Sequence, residues 1–223
     1  MSRARKLGTW AGVLGPLGLV LVVVALASVW TGYHGTTVTS DSMSPTYKRG
    51  QRLVYERTDG GGVRRGDVVL YQAPGRYGFD APVMQRVIAV GGDHVVCCTG
   101  EGDDERITVN GRPLSEPYVA DGVSDGLHHP YDVKVPKGRL FLLGDHRVNS
   151  RDSRFFADDH GGTVPVSAVQ GRVTYDRSGL VLLGLAAAAG VLLALTGLGL
   201  GIAAVAVRKQ VVVPPPPPWA VRM

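Results

Sequence analysis

The chain has 223 residues, 44% hydrophobic and 19% charged, with a formal net charge of +5. Six of its 24 Lys/Arg lie near the ends, at Arg3, Arg5, Lys6, Arg208, Lys209 and Arg222, which leaves 18 against all 19 Asp/Glu between Gly35 and Arg177. A middle with a net charge of −1 excludes a nucleic-acid footprint, and basic ends beside apolar runs are an orientation signal for a membrane protein.

From Lys6 to Asp41 no formally charged side chain occurs. Trp10 to Trp30 makes 21 residues, about 30 Å as a helix and enough to cross the hydrocarbon. A tryptophan stands at each end, where an interface would hold it. A cleaved leader is the competing reading. The apolar run is longer than such leaders carry, and the small residues around Ala25 to Ser28 sit beside Val29 and Trp30, a poor cleavage site. An uncleaved anchor is therefore expected.

Strand candidates follow: QRLVYER, GDVVLYQA, MQRVIAVGG, DHVVCC, RITVNGRPL, RLFLLGD and VQGRVTYD, all runs of β-branched and aromatic residues. Asn110-Gly111 is a tight-turn signal between strands. GRYGFDAP, EGDDE and VADGVSDGLHHPYD read as loops, with His128-His129 solvated. No internal repeat stands out. Cys97 and Cys98 are the only cysteines. Neighbouring Cα atoms lie closer than the usual disulfide separation, and regular strand alternation would send the side chains to opposite faces. Two thiols or a labile redox pair are expected rather than a structural staple, and two cysteines alone make half a metal site.

Ser178 to Val207 is a second uncharged run, glycine-rich, with Gly197 and Gly201 in small-xxx-small spacing. The tail VVVPPPPPWAVRM favours extended polyproline. The expected division is a short cytoplasmic basic N-terminus over 1–9, a transmembrane helix over 10–33 and an extracytoplasmic β-rich domain over 34–177. A second transmembrane helix over 178–207 and a cytoplasmic proline-rich tail over 208–223 complete it, N-in and C-in.

Four motifs bear on chemistry. Ser42-Met43-Ser44-Pro45-Thr46 offers a serine, a poor nucleophile until a neighbouring base takes its proton. Arg65-Gly66-Asp67 reads as structural turn chemistry at a strand entry. Gln85-Arg86-Val87-Ile88-Ala89-Val90-Gly91-Gly92-Asp93 is a strand running into a glycine turn. Gly144 to Arg154, GDHRVNSRDSR, concentrates charge and hydroxyls, and Asp145 and Asp152 can accept charge-assisted bonds from Arg147 or Arg154.

In this order, behind an N-terminal anchor, the motifs resemble type I signal peptidase over about residues 10 to 178, with Asn110-Gly111 and Glu116-Pro117-Tyr118 also fitting. The resemblance implies a mainly β, antiparallel domain outside the membrane, flanked by two transmembrane helices. It also implies a membrane-bound serine endopeptidase with a Ser–Lys dyad that removes signal peptides after small residues (A-x-A). By motif, Ser42 resembles the nucleophile and Ser40 the hydroxyl that completes the oxyanion hole. Ser150 resembles the serine that orients the dyad lysine, and Asp152 and Arg154 the supporting pair, while Met43 would help line the cleft. No cofactor or metal is implied. The implied partners are signal-peptide-bearing preproteins and the lipid bilayer, with a secretion translocon or a partner peptidase as further candidates, and no nucleic acid.

One position departs decisively. The family's base is a lysine, and this chain has Gln85 there, which takes no proton from Ser42 at working pH. General-base catalysis is worth about 10²–10⁴-fold. Lys48, Lys134 and Lys137 are the remaining lysines of the domain. Lys48 beside Arg49 is expected to be solvated, while His146 has a suitable intrinsic pKa. Two readings follow: a peptidase using an unusual base, or a weakly active or inactive homologue that binds preproteins or a partner peptidase.

Overall fold

The computed structural model describes residues 3–100, 105–126, 130–174 and 178–209. Two compact units divide it, residues 31–175 and the two terminal segments. In the terminal unit, helix α1 spans Arg3–Gly32 and helix α2 spans Ser178–Lys209. Both are long and apolar enough to cross a membrane, which supports a two-pass topology. They meet through small residues. A β-carbon added at Gly18 would lie 2.5 Å from the Ala194 backbone nitrogen, and one at Gly197 would lie 2.7 Å from Gly15 Cα. Close backbone approach of this kind is how apolar helices gain packing energy where no hydrophobic effect operates.

The small-residue spacing read from the sequence in α2 thus has its complement in α1. A β-carbon at Gly201 would stand 3.7 Å from Ala11 Cβ, inside the usual Cβ separation of about 3.5–4.5 Å in disulfides. Ala11→Cys with Gly201→Cys is therefore expected to cross-link α1 to α2 under mild oxidation. Adding Gly197→Leu should abolish the link, read by whether the helices stay joined after proteolysis between them.

The other unit is antiparallel β. Its strands are β1 (Tyr33–Thr37), β2 (Arg52–Arg57), β3 (Val68–Tyr71), β4 (Val83–Val90), β5 (His94–Thr99) and β6 (Arg106–Val109), followed by β7 (Arg112–Pro113), β8 (Tyr131–Lys134), β9 (Arg139–Leu143), β10 (Val164–Pro165) and β11 (Val169–Val173). They form a seven-stranded sheet, β1-β2-β11-β3-β4-β9-β10, and a four-stranded sheet, β7-β6-β5-β8. Every expected strand is present. Asn110 and Gly111 both have positive φ, 54° and 73°, the signature of a type I′ hairpin turn, and they join β6 to β7. Three strands were not expected. β1 and β10 edge the larger sheet and β8 the smaller, and β8 takes Tyr131 and Asp132 out of the loop assigned to them. His128 and His129 lie outside the described residues.

β4 and β9 are buried on both faces, which explains their unbroken apolar runs. Ile88, Ala89, Phe141 and Leu143 pack with Val95, Cys97, Ile107 and Val109 of the smaller sheet. Val87, Leu140 and Leu142 pack on the opposite side with Val69, Tyr71 and Val169. A further cluster of Val38, Met43, Tyr47, Leu53, Val68 and Leu70 seats the loop that carries Ser42.

The expectation of two thiols is corrected: Cys97 and Cys98 are joined as a vicinal disulfide and no free thiol is present among the described residues. The opposite-face argument assumed a regular strand. The β5–β6 register instead shifts between Val96 and Thr99, so strict alternation fails there.

Candidate active site

Ser42 sits on the loop between β1 and β2, and the core beneath holds that loop. Met43 is completely buried and packs with Tyr47, Val68 and Leu70, so it anchors the turn and does not line the cleft as expected. The Tyr47 N–H donates to Met43 O (2.9 Å), Ser44 N–H to Asp41 O (3.0 Å) and His146 N–H to Ser42 O (3.0 Å). These bonds fix the backbone around a half-buried Ser42 whose Oγ lies 3.0 Å from Ser40 Oγ. The two serines are brought together as the motif implied.

Beside them runs a cavity of about 150 Å³ lined by Val38, Ser40, Ser42, Leu70, Ala81 and Met84, among others. Gln85 does not line it. Successive side chains of a strand point to opposite faces, so Met84 takes the groove and Gln85 faces the Tyr71 side of β4. Gln85 is buried, at 1% exposure. Its Nε2 donates to the carbonyl oxygen of Arg151 at 2.9 Å, and its Oε1 accepts from Tyr71 Oη at 2.6 Å. The Arg151 carbonyl can only accept, which fixes the amide orientation. Tyr71 Oη in turn lies 2.6 Å from Tyr77 Oη.

Ser150, expected to orient a base, is buried, and its Oγ has no hydrogen-bond partner among the described residues. A buried hydroxyl without a partner is uncommon and costly. Gly144 lies under it: a β-carbon there would run into the Ser150 hydroxymethyl and come within 2.6 Å of Ser42 O. Gly144→Ala is accordingly expected to displace both serines' loops. Groove occupancy should weaken by tenfold or more, with a melting shift corresponding to about 1–3 kcal/mol of overpacking.

Asp152 and Arg154 are joined as an ion pair, and both are almost completely buried. Arg154 Nε lies 2.7 Å from Asp152 Oδ1, and its Nη2 donates to Asp152 Oδ2 (2.8 Å) and Arg147 O (2.8 Å). Asp152 Oδ2 also accepts the Gly144 N–H at 3.1 Å. A second carboxylate missed by the sequence, Asp125, meets Arg154 Nη1 at 3.1 Å. Burial works to lower the Arg154 pKa, and the bonds to Asp152 and then Asp125 outweigh it and raise the pKa.

The other pairings differ from expectation. Asp145 takes Arg86, at 2.8 Å from Nε and 2.6 Å from Nη2, and also the hydroxyl of Thr46. Arg147 takes Glu116 as its bidentate partner and donates to Gly144 O at 2.9 Å. Tyr118 supplies the ring beneath Arg86, 3.9 Å from guanidinium carbon to centroid. Glu116 and Tyr118 thus brace the site from a segment that no charge pattern singled out. In the basic–glycine–acidic turn, Arg65 pairs with Asp93, and the Gly66 and Asp67 backbone bonds to Val87, so that motif is structural.

The hydrogen bond of Ser42 Oγ among the described residues is to the Ser40 hydroxyl. Lys48, Lys134 and Lys137 are exposed. His146 Nδ1 lies 3.3 Å from the Asp41 carbonyl oxygen, its ring half-buried. Two sulfurs and the Glu105 carboxylate lie within 4.8 Å of one another, but sulfurs joined as a disulfide are not thiolate ligands.

The family described as signal peptidase, peptidase S26, matches residues 11–176. Signal peptidase I of Mycobacterium tuberculosis (strain ATCC 25618 / H37Rv) is 32% identical over 209 residues, covering 72% of this chain and 69% of that protein. Signal peptidase I S of Bacillus subtilis (strain 168) is 30% identical over 164 residues, covering 69% of this chain and 82% of that protein. A solved signal peptidase I from Enterococcus faecalis V583 overlaps with a TM-score of 0.39 at 29% identity, over 50% of this chain and 97% of that one. That overlap is too loose to carry weight. The family match, running from the first apolar helix through the last strand of the sheet, is enough: this chain belongs to the signal peptidase family S26.

Proposed function

We propose that this chain is a signal peptidase I homologue that takes signal-peptide-bearing preproteins into the groove beside Ser40 and Ser42 and cleaves them weakly or not at all. The observation that carries this reading is at residue 85. The amide there is tied to Tyr71 and Arg151, while the Ser150 hydroxyl is buried without a partner. A preprotein would enter extended and pair by its main chain with exposed strand backbone, presenting small residues to a shallow groove. Ser42 would be the attacking hydroxyl, and Ser40 with the Ser42 N–H would hold the oxyanion. Asp152 and Arg154 brace Ser150 and the loop around it. The proton that Ser42 must lose has no acceptor at position 85.

The basic residues at both ends favour N-in, C-in insertion with the β domain over 34–177 on the extracytoplasmic face. On that face a translocon or a partner peptidase would share the same clientele.

The test is a labelled preprotein with an A-x-A site, presented to full-length protein in vesicles. Saturable binding is expected, weakened at least tenfold by Ala81→Trp, which fills the groove. Cleavage should fall about 10²–10⁴-fold below that of a lysine-dyad relative. Absence of binding would sink the proposal. The second reading, an active peptidase, is favoured by His146: a carbonyl against Nδ1 puts the proton on that nitrogen and leaves Nε2 as acceptor. Robust cleavage lost in both Ser42→Ala and His146→Gln would establish it instead.

A further inference from the structure

We infer that Tyr71 is a positioning residue that holds the side chain at position 85 away from the serines, so that residues 71 and 85 together, not residue 85 alone, determine whether Ser42 has a base. The inference rests on the preceding reading of Ser42 as a nucleophile without an acceptor.

The geometry is a closed chain of donors and acceptors. Tyr77 and Tyr71 share a hydrogen bond of 2.6 Å. Tyr71 donates to Gln85 Oε1 at 2.6 Å, and Gln85 Nε2 donates to Arg151 O at 2.9 Å. Tyr71 is 1% exposed, and its ring is held by Val69, Val87 and Leu142. Tyr77 packs edge-on against Phe156 with centroids 5.5 Å apart. Each member is thus set by packing as well as by hydrogen bonding. Burial, with Tyr77 adding to it, pushes the Tyr71 phenol well above its ordinary pKa, so it remains protonated and donating throughout the working range.

A lysine restored at position 85 would meet the same surroundings. The Tyr71 oxygen and the Arg151 carbonyl both accept hydrogen bonds, and acceptors around an ammonium favour its charged form. A base must be neutral to take a proton, so this setting works against the role. Without the Tyr71 hydroxyl, that side of the site is less polar: Val69, Val87 and Leu142 line it, and the Tyr77 hydroxyl, which also reaches Gln85, is what remains. Desolvation then lowers a lysine pKa, and the Ser150 hydroxyl, which has no partner, becomes a polar group free to take its hydrogen bond.

Four full-length proteins test this with the A-x-A preprotein: wild type, Tyr71→Phe, Gln85→Lys and the double variant. Wild type and Tyr71→Phe should be equally slow, which separates positioning from a general structural effect. Gln85→Lys should stay within tenfold of wild type. The double variant should exceed it by about 100-fold or more, with kcat/KM rising as pH rises through the pKa of the new lysine. Gln85→Lys matching the double variant would overturn the inference and leave the preceding reading intact. A folded but silent double variant, binding preprotein as wild type does, would also overturn it. Ser42-dependent cleavage by wild type would instead overturn the preceding reading. Should the lysine variants not fold, side-chain amide exchange of Gln85 decides: protection in wild type, lost by tenfold or more in Tyr71→Phe, is expected, and unchanged exchange refutes the hold.

Discussion

Asp145→Ala is expected to destabilise the β domain by about 3–5 kcal/mol, the usual cost of removing one partner from a buried ion pair. Asp145 is wholly buried, and the Arg86 side chain is 7% exposed. The deletion removes both carboxylate bonds from a guanidinium that lies over Tyr118 and that also donates to the Gly66 carbonyl at 2.9 Å. The Thr46 hydroxyl loses its acceptor as well. Melting of the full-length protein in detergent should fall by roughly 10 °C, taking about 2–4 °C per kcal/mol for a chain of this size. Asp145→Asn should cost less, because the amide oxygen still accepts one of the two guanidinium bonds. Arg86→Met combined with Asp145→Leu should recover part of the loss, since an apolar pair replaces a buried charge pair at little net cost. A melting point unchanged in Asp145→Ala would mean the pair is not buried as described. The same change should weaken preprotein binding, because the neighbouring His146 N–H holds the Ser42 carbonyl.

What the sequence made legible follows distance along the chain. The Arg154–Asp152 pair is two residues long, so its motif displays it. The Arg86–Asp145 and Arg147–Glu116 pairs span 59 and 31 residues. A one-dimensional reading could only assign Arg147 to a nearer aspartate. Strands with apolar runs, such as β4 and β9, were visible because burial on both faces demands such runs. β1 and β8 are polar edge strands, made by pairing with a neighbour rather than by an apolar pattern of their own. Tyr71 was invisible as a functional residue for a related reason. In GDVVLYQA a tyrosine reads as core, and only the register placing Leu70 opposite Met84 and Val69 opposite Gln85 brings its hydroxyl to the amide. The glutamine at position 85 was legible. That its amide is engaged by other groups, and that Ser150 is left without a partner, required the fold.

Arg154→Met should be more damaging still, at about 5 kcal/mol or loss of the folded domain. One guanidinium there serves two wholly buried carboxylates, Asp152 and Asp125, and also donates to the carbonyls of Asp125 and Arg147. Removing it takes the shared guanidinium away from two buried carboxylates, a costly loss in low dielectric. Methionine conserves much of the stem's packing, so the loss reports electrostatics more than a cavity. Groups that share one network do not add. Arg154→Met with Asp152→Leu should therefore be less destabilised than the two single changes summed, by about 0.5–3 kcal/mol. Strict additivity in chemical unfolding would show that the carboxylates do not depend on Arg154. The consequence for the site is specific. Ser42 and Ser150 stand on loops, not on strands, and the Gly144 N–H that underlies both is fixed by Asp152 Oδ2. Their placement is borrowed from this network, so a charge change that never touches the groove should still loosen what binds in it.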